Sequence, residues 1–240
     1  MIEFERAGKR FGDTVAVEEL SFAVEEGTLF SLIGPNGAGK TTTIKMMCGL
    51  LAPTSGAVRL FGHDIVQDAK AAKGLLGYVP DEPHIYDKLT GREFMELVGR
   101  MHGMGRRELS RRIAEAIERL DLGGFADELA GAYSHGMTQR CALGAALVHS
   151  PRLFLVDEPM VGLDPRSIRT IKEVLLDYVR AGNIVFMSTH DLADVEEMSD
   201  CVGVLCDGKL MALGDVAAVK RQTRSQRLED GFLALTEALP

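Results

Sequence analysis

The stretch Gly34-Pro35-Asn36-Gly37-Ala38-Gly39-Lys40-Thr41-Thr42 fits G-x-x-x-x-G-K-S/T, the pattern of a phosphate-binding loop. The apolar run Leu29-Phe30-Ser31-Leu32-Ile33 precedes it and reads as a buried strand. Residues 42–50 follow without proline and read as a helix. The motif thus has the strand–loop–helix setting its chemistry needs. Glycines let successive backbone N–H groups turn inward around a phosphate, and the helix N-terminus adds partial positive charge. Lys40 would set an ammonium on the β- and γ-phosphates, and the Thr41 hydroxyl would be a Mg²⁺ ligand. The loop points to a nucleoside-triphosphate site.

Bulk properties narrow the setting. The chain has 240 residues, 46% of them hydrophobic and 26% charged, ordinary for a soluble globular protein with ample core. A net charge of −8 disfavours non-specific nucleic-acid binding, which calls for a basic face. Cys48, Cys141, Cys201 and Cys206 lack C-x-x-C spacing. The first three lie in apolar surroundings, so buried reduced thiols are expected rather than a metal site. No stretch approaches the ~20 apolar residues of a membrane helix, and Met1-Ile2-Glu3-Phe4-Glu5-Arg6 has no signal core. A role at a membrane would need a partner that spans it, with this chain in the cytoplasm.

In order, Ile2-Glu3-Phe4 reads as a strand and residues 8–13 as a turn region. Leu20-Ser21-Phe22-Ala23-Val24 alternates at period two, and Glu25-Glu26-Gly27 is expected to close it as a hairpin. Together these predict an N-terminal β-layer. Within it, Phe11 beside Gly12 is either a ring that stacks on adenine or a half-buried turn aromatic. Residues 57–62 and 74–80 read as further short strands, the second ending at proline. From about Leu89 to Ser150 the pattern is helical. Leu109, Ile113, Ile117 and Leu120 share a face, and Thr90 with Glu93 forms a capping box. Met95, Met101 and Met104 would be core or a partner surface. The α/β texture returns at Arg152-Leu153-Phe154-Leu155-Val156 and again at residues 183–190. Residues 202–212 read as a hairpin around Cys206-Asp207-Gly208, and the tail from Asp215 as one or two helices.

A buried strand that ends in Asp157-Glu158 supplies the second half of a phosphate-loop ATPase. Asp157 at the strand's carboxyl edge can hold Mg²⁺ through water, and Glu158 can polarise the attacking water as general base. An acidic helix cap would explain either carboxylate alone, but not both downstream of a matching loop. ATP hydrolysis is the reading.

The order of motifs then resembles the nucleotide-binding subunit of an ATP-binding-cassette (ABC) transporter across nearly the whole chain. Tyr133-Ser134-His135-Gly136-Met137-Thr138-Gln139-Arg140 is similar to the family signature L-S-G-G-Q followed by Q-R. Gly162-Leu163-Asp164-Pro165 resembles its D-loop, and Ser188-Thr189-His190-Asp191 its switch-histidine segment. The resemblance implies an α/β fold: a P-loop NTPase (RecA-like) core, an N-terminal antiparallel β-layer and an inserted α-helical subdomain. It would be one ABC ATPase domain over 1–240, with core at 1–86 and 151–215. The helical subdomain would be 87–150 and the helical tail 216–240.

By the same resemblance, two copies, or this chain and a related subunit, dimerise head to tail. ATP is clamped between one loop (Gly34, Pro35, Asn36, Gly37, Ala38, Gly39, Lys40, Thr41, Thr42) and the other copy's Ser134 and Gly136, with Asp164 at the interface. Lys40, Glu158 and His190 would be catalytic, His190 on the γ-phosphate, and Phe11 would stack on adenine. Thr41, Asp157 and Asp81 would serve Mg²⁺. Three positions depart from the family pattern: His135 replaces glycine, Met137 replaces glutamine, and Asp81 stands where the family has the glutamine of its Q-loop. The acidic Asp81-Glu82-Pro83 most resembles the ABC-2 export branch. The implied partner is a transmembrane permease that holds the chain on the cytoplasmic face of the membrane. A soluble ABC ATPase of iron–sulfur assembly is the other possibility.

Overall fold

The computed structural model describes residues 1–237. In chain order, the first elements are β1 (Ile2–Phe11), β2 (Thr14–Val24), β3 (Leu29–Ile33), α1 (Lys40–Met47), β4 (Ser55–Leu60), β5 (His63–Asp64), α2 (Ala69–Gly74) and β6 (Leu76–Val79). Next come α3 (Gly91–Met101), α4 (Arg106–Arg119), a 3₁₀ turn at Ala130–Ala132 and α5 (His135–Leu147). The chain continues with β7 (Leu153–Asp157), α6 (Pro165–Arg180), β8 (Ile184–Ser188), α7 (Leu192–Met198), β9 (Cys201–Cys206) and β10 (Lys209–Gly214). It ends with α8 (Val216–Thr223) and α9 (Leu228–Thr236). The last residues of the expected tail, 238–240, lie outside the described residues.

Two sheets divide the strands. One is antiparallel, in the order β2-β1-β4-β5; the other runs β10-β9-β3-β8-β7-β6, parallel except for its edge strand β10. Every residue of β3, β7 and β8 is buried, as a parallel sheet covered on both faces requires. Period two sorts their side chains. Phe154 and Val156 of β7 pack with α3, α4, α5 and α6, among Met95, Leu109, Ile113, Leu143 and Ile171. Leu153 and Leu155 face the other way, toward α1 and the antiparallel sheet. An aromatic ladder joins the two sheets: Phe4, Phe22, Phe30 and Phe186 stack with centroid spacings of 4.5, 5.4 and 4.8 Å. Such pairs add about 0.5–1.5 kcal/mol each beyond their area burial.

Several local expectations change. Residues 8–13 are not a loop, since β1 runs to Phe11 and only Gly12 and Asp13 turn. Register shifts between Phe4 and Arg10 let β1 bend, which hides the strand's period. Gly8 sits inside the strand because a Cβ there would meet Ser55 Oγ at 2.6 Å. Glu25-Glu26-Gly27 does not close a hairpin. It carries the chain from one sheet to the other, since β2 pairs with β1 and β3 pairs with β8 and β9. Helix α1 ends at Met47, where Gly49 takes φ 61° just past the end, a left-handed stop suited to glycine.

The helical stretch is as its pattern predicts. Thr90 Oγ1 accepts from Glu93 N at 3.1 Å while Glu93 Oε2 accepts from Thr90 N at 2.9 Å, closing the capping box worth about 1 kcal/mol. Met95 is core, Met104 packs at its margin, and Met101 is exposed. All four cysteines are free thiols. Cys48, Cys141 and Cys206 are buried, whereas Cys201 is only half-buried. Burial pushes the Cys48 and Cys141 thiols up to about 12, so both are unreactive.

Candidate active site

β3, buried throughout, delivers the chain to Gly34, where a Cβ would fall 2.2 Å from Leu205 O. Only glycine lets the backbone pass so close to β9. Gly39 precedes α1 with φ 105°, and its Cβ would meet Ala16 O at 2.5 Å. Between them the loop folds on itself: Ala38 N donates to Pro35 O at 3.2 Å. Lys40 opens α1 and is buried. Its Nζ donates to Gly34 O at 2.6 Å and Pro35 O at 3.1 Å. No acidic side chain occupies the first turn of α1 and no side chain caps it, so its leading N–H groups and partial positive charge point into the site. Burial lowers the pKa of Lys40, and the nearby Glu158 and Asp157 carboxylates oppose that shift.

These residues enclose a cavity of about 250 Å³, lined by Ala16, residues 36–42, Asp81, Asp157 and Glu158. Gly34 and Pro35 stay behind it, as acceptors for Lys40. Asp157 ends β7 and is buried; the hydroxyl of Ser188, opposite it on β8, donates to its Oδ1. Glu158 follows in the left-handed region, φ 48°, a strained position for a residue with a side chain. Its backbone is pinned by Glu158 N donating to Ser188 O at 3.0 Å. Its carboxylate Oε2 meets His190 Nδ1 at 3.0 Å and accepts from His190 N at 3.4 Å. β7 and β8 are parallel neighbours, so two segments distant in sequence finish at the same sheet edge beside the loop, the usual ligand side of such a sheet. Asp81 lies just beyond β6, exposed at the mouth.

The other predicted residues lie elsewhere on the same chain. Ser134 caps α5, its Oγ accepting from Met137 N at 3.3 Å. His135 is the first residue of that helix and is absent from the positive-φ residues, so replacing glycine there brings no backbone strain. Gly136 faces Leu163; a Cβ would stand 3.4 Å from Leu163 Cδ2. Asp164 caps α6, accepting from Arg166 N at 3.0 Å and Ser167 N at 3.1 Å, and its bonds to Ser167 lower its pKa. Phe11 is about half exposed at 48%, with Lys9 Nζ 5.2 Å from its ring centroid. Phe11, Ser134, Gly136, Asp164 and His190 do not line the phosphate cavity; His190 meets it through Glu158. Sequence reading missed Ala16 and the Ser188–Asp157 bond. Strand pairing supplies both, and no local pattern announces it.

A buried ammonium, a helix N-terminus and three carboxylates around one cavity, with an imidazole against one of those carboxylates, suit a polyphosphate with a hard cation. A family profile described as "ABC transporter" matches residues 17–161. The chain belongs to the ABC transporter family. As a member, this ABC subunit is an ATP-binding and ATP-hydrolysing protein. A solved ATP-binding subunit of an ABC transporter superposes with a TM-score of 0.92 at 29% identity, covering 98% of this chain and 99% of that one. Among curated relatives, the daunorubicin resistance ATP-binding protein DrrA3 of Streptomyces coeruleorubidus is 34% identical over 228 residues, 95% of this chain and 72% of that protein. The linearmycin resistance ATP-binding protein LnrL of Bacillus subtilis (strain 168) is 36% identical over 214 residues, 89% of this chain and 69% of that protein. Among the described residues, no helix is long and apolar enough to cross a membrane.

Proposed function

We propose that this ABC subunit closes on ATP as a head-to-tail dimer and drives a separate transmembrane permease in export. The observation that carries the site is the convergence of Lys40, Asp157 and Glu158 on one cavity, with His190 Nδ1 3.0 Å from the Glu158 carboxylate. The loop N–H groups and Lys40 would hold the phosphates. The donor set fits Mg²⁺, which takes one or two carboxylates together with phosphate oxygens and water. Thr41 Oγ1, Asp157 and Asp81 would hold it. Bound there, it would supply positive charge to offset that of the phosphates. Glu158, pinned by Ser188 and His190, takes the proton of the attacking water. His190 keeps the carboxylate aimed and offers its outer nitrogen toward the terminal phosphate. Phe11, half exposed, would cover the base.

Ser134 and Gly136 lie outside the cavity of their own chain, which is why a second copy, or a related subunit, is needed to bring them to the γ-phosphate. Export rather than import follows the relatives named for daunorubicin and linearmycin resistance together with Asp81 in place of the family glutamine. The permease would sit over the larger groove of about 650 Å³ beside Asp81, lined by Tyr78, Pro80, Glu82, Phe94 and His149 among others. The chain would then lie on the cytoplasmic face of the membrane. The direct test of the cavity is Lys40→Ala: nucleotide affinity should be lost, and ATP binding equal to wild type would refute the assignment.

A further inference from the structure

The first turn of α5 grips the loop that follows Glu158. His135 and Gln139 stand one helical turn apart on α5, on one face. His135 Nε2 lies 3.1 Å from Val161 O, and Gln139 Nε2 donates to Pro159 O at 3.4 Å. Gln139 is 1% exposed and, among the described residues, its Oε1 has no hydrogen-bond partner, so its amide is committed to this one contact. Leu163 packs over Gly136 from the same loop. The loop in turn is tied to the carboxylate's backbone, Val161 N donating to Glu158 O at 3.4 Å. Glu158 itself holds φ 48°, a conformation that persists only where flanking contacts enforce it.

We propose that His135 and Gln139 are positioning residues that couple α5 to Glu158. A displacement of the Ser134–Gly136 end of α5 pulls on Val161 and Pro159 and re-aims the general base of the same chain. This rests on the head-to-tail reading above, in which Ser134 and Gly136 meet the partner copy's nucleotide. Each copy would then sense closure around its partner's ATP and set its own base accordingly. His135 is what allows this: the glycine of the family pattern has no side chain with which to hold Val161.

Steady-state ATPase assays on the full chain, against ATP concentration, test the coupling. His135→Ala should lower kcat about tenfold with KM for ATP within about twofold, and should bring the Hill coefficient toward one. His135→Gln, whose Nε2 can donate to Val161 O, should restore both; His135→Gly should behave as the alanine variant. Glu158→Gln and Glu158→Gln/His135→Ala should form ATP-dependent dimers to the same extent. Wild-type kcat and Hill coefficient in His135→Ala, or failure of His135→Gln to rescue, would overturn the proposal. So would a double variant that no longer dimerises, since His135 would then be an interface contact. If Glu158→Gln alone stays monomeric, it is the head-to-tail reading that fails, and the coupling falls with it.

Discussion

His190 Nδ1 lies 3.0 Å from Glu158 Oε2, and the two residues sit just past the carboxyl ends of adjacent parallel strands. The contact holds the carboxylate of a residue whose own backbone is strained. His190→Ala should therefore lower kcat by about 10²-fold, within the range of a misplaced general base. ATP affinity should change little, because Lys40 and the loop amides are untouched. Single-turnover hydrolysis beside equilibrium nucleotide binding separates the two effects; a loss confined to affinity would count against this role.

Ser188 gives a prediction about a residue with no contact to substrate. Its hydroxyl donates to buried Asp157. Ser188→Ala leaves that carboxylate oxygen short of a donor, at a cost of about 1–3 kcal/mol. The denaturant midpoint should fall with an unchanged m-value, and half-maximal ATPase should require more Mg²⁺. A midpoint and a Mg²⁺ requirement equal to wild type would show that Asp157 does not depend on this bond.

Phe11 is half exposed, so its removal should not unfold the protein. Base stacking on an aromatic ring contributes about 1–3 kcal/mol, so Phe11→Ala should weaken ATP binding about tenfold or more. Affinity for inorganic tripolyphosphate should stay as in wild type. Equal weakening for both ligands would place Phe11 on the phosphates rather than the base.

Acid should destabilise the chain through the larger groove. His102 and His149 stack there with ring centroids 3.6 Å apart, and His149 Nε2 lies 3.1 Å from Leu76 O. Burial, with His102 beside it, pushes the His149 imidazole down to about 4 from the ordinary 6.5. The unfolded chain takes up a proton between those values that the folded chain refuses. This contribution to stability is complete above about pH 6.5, is lost as pH falls toward 4, and is flat below. His102 is lowered by burial as well and adds to the same slope. His149→Gln, which keeps a donor for Leu76 O, should flatten the dependence of unfolding free energy on pH between 4 and 6.5. An unchanged slope would mean that this histidine is not responsible.

What could be read in advance follows from the range of each signal. The phosphate loop and the apolar strands expected at 29–33 and 152–156 are local patterns, and the strands stand at Leu29–Ile33 and Leu153–Asp157. The capping box at Thr90 is equally local. The bent β1, whose bulges break the alternation, and the crossing from β2 to β3 depend on partners far along the chain. The same holds for Ser188 on Asp157, 31 residues away, and for His135 on Val161, 26 residues away. In the sequence His135 was a departure from a pattern; in the fold it is an unstrained helical residue with a partner of its own.

On the proposed function, this chain carries half of an ATP clamp, and its Ser134 and Gly136 would serve a second copy. The most direct test is Glu158→Gln, which keeps the side chain's size but removes the base, so bound ATP should persist. With ATP and Mg²⁺, the purified variant should elute as a dimer in size-exclusion chromatography with light scattering, as a monomer without nucleotide, and with kcat reduced by about 10²–10⁴. A variant that binds ATP yet remains monomeric at high protein concentration would contradict the head-to-tail clamp.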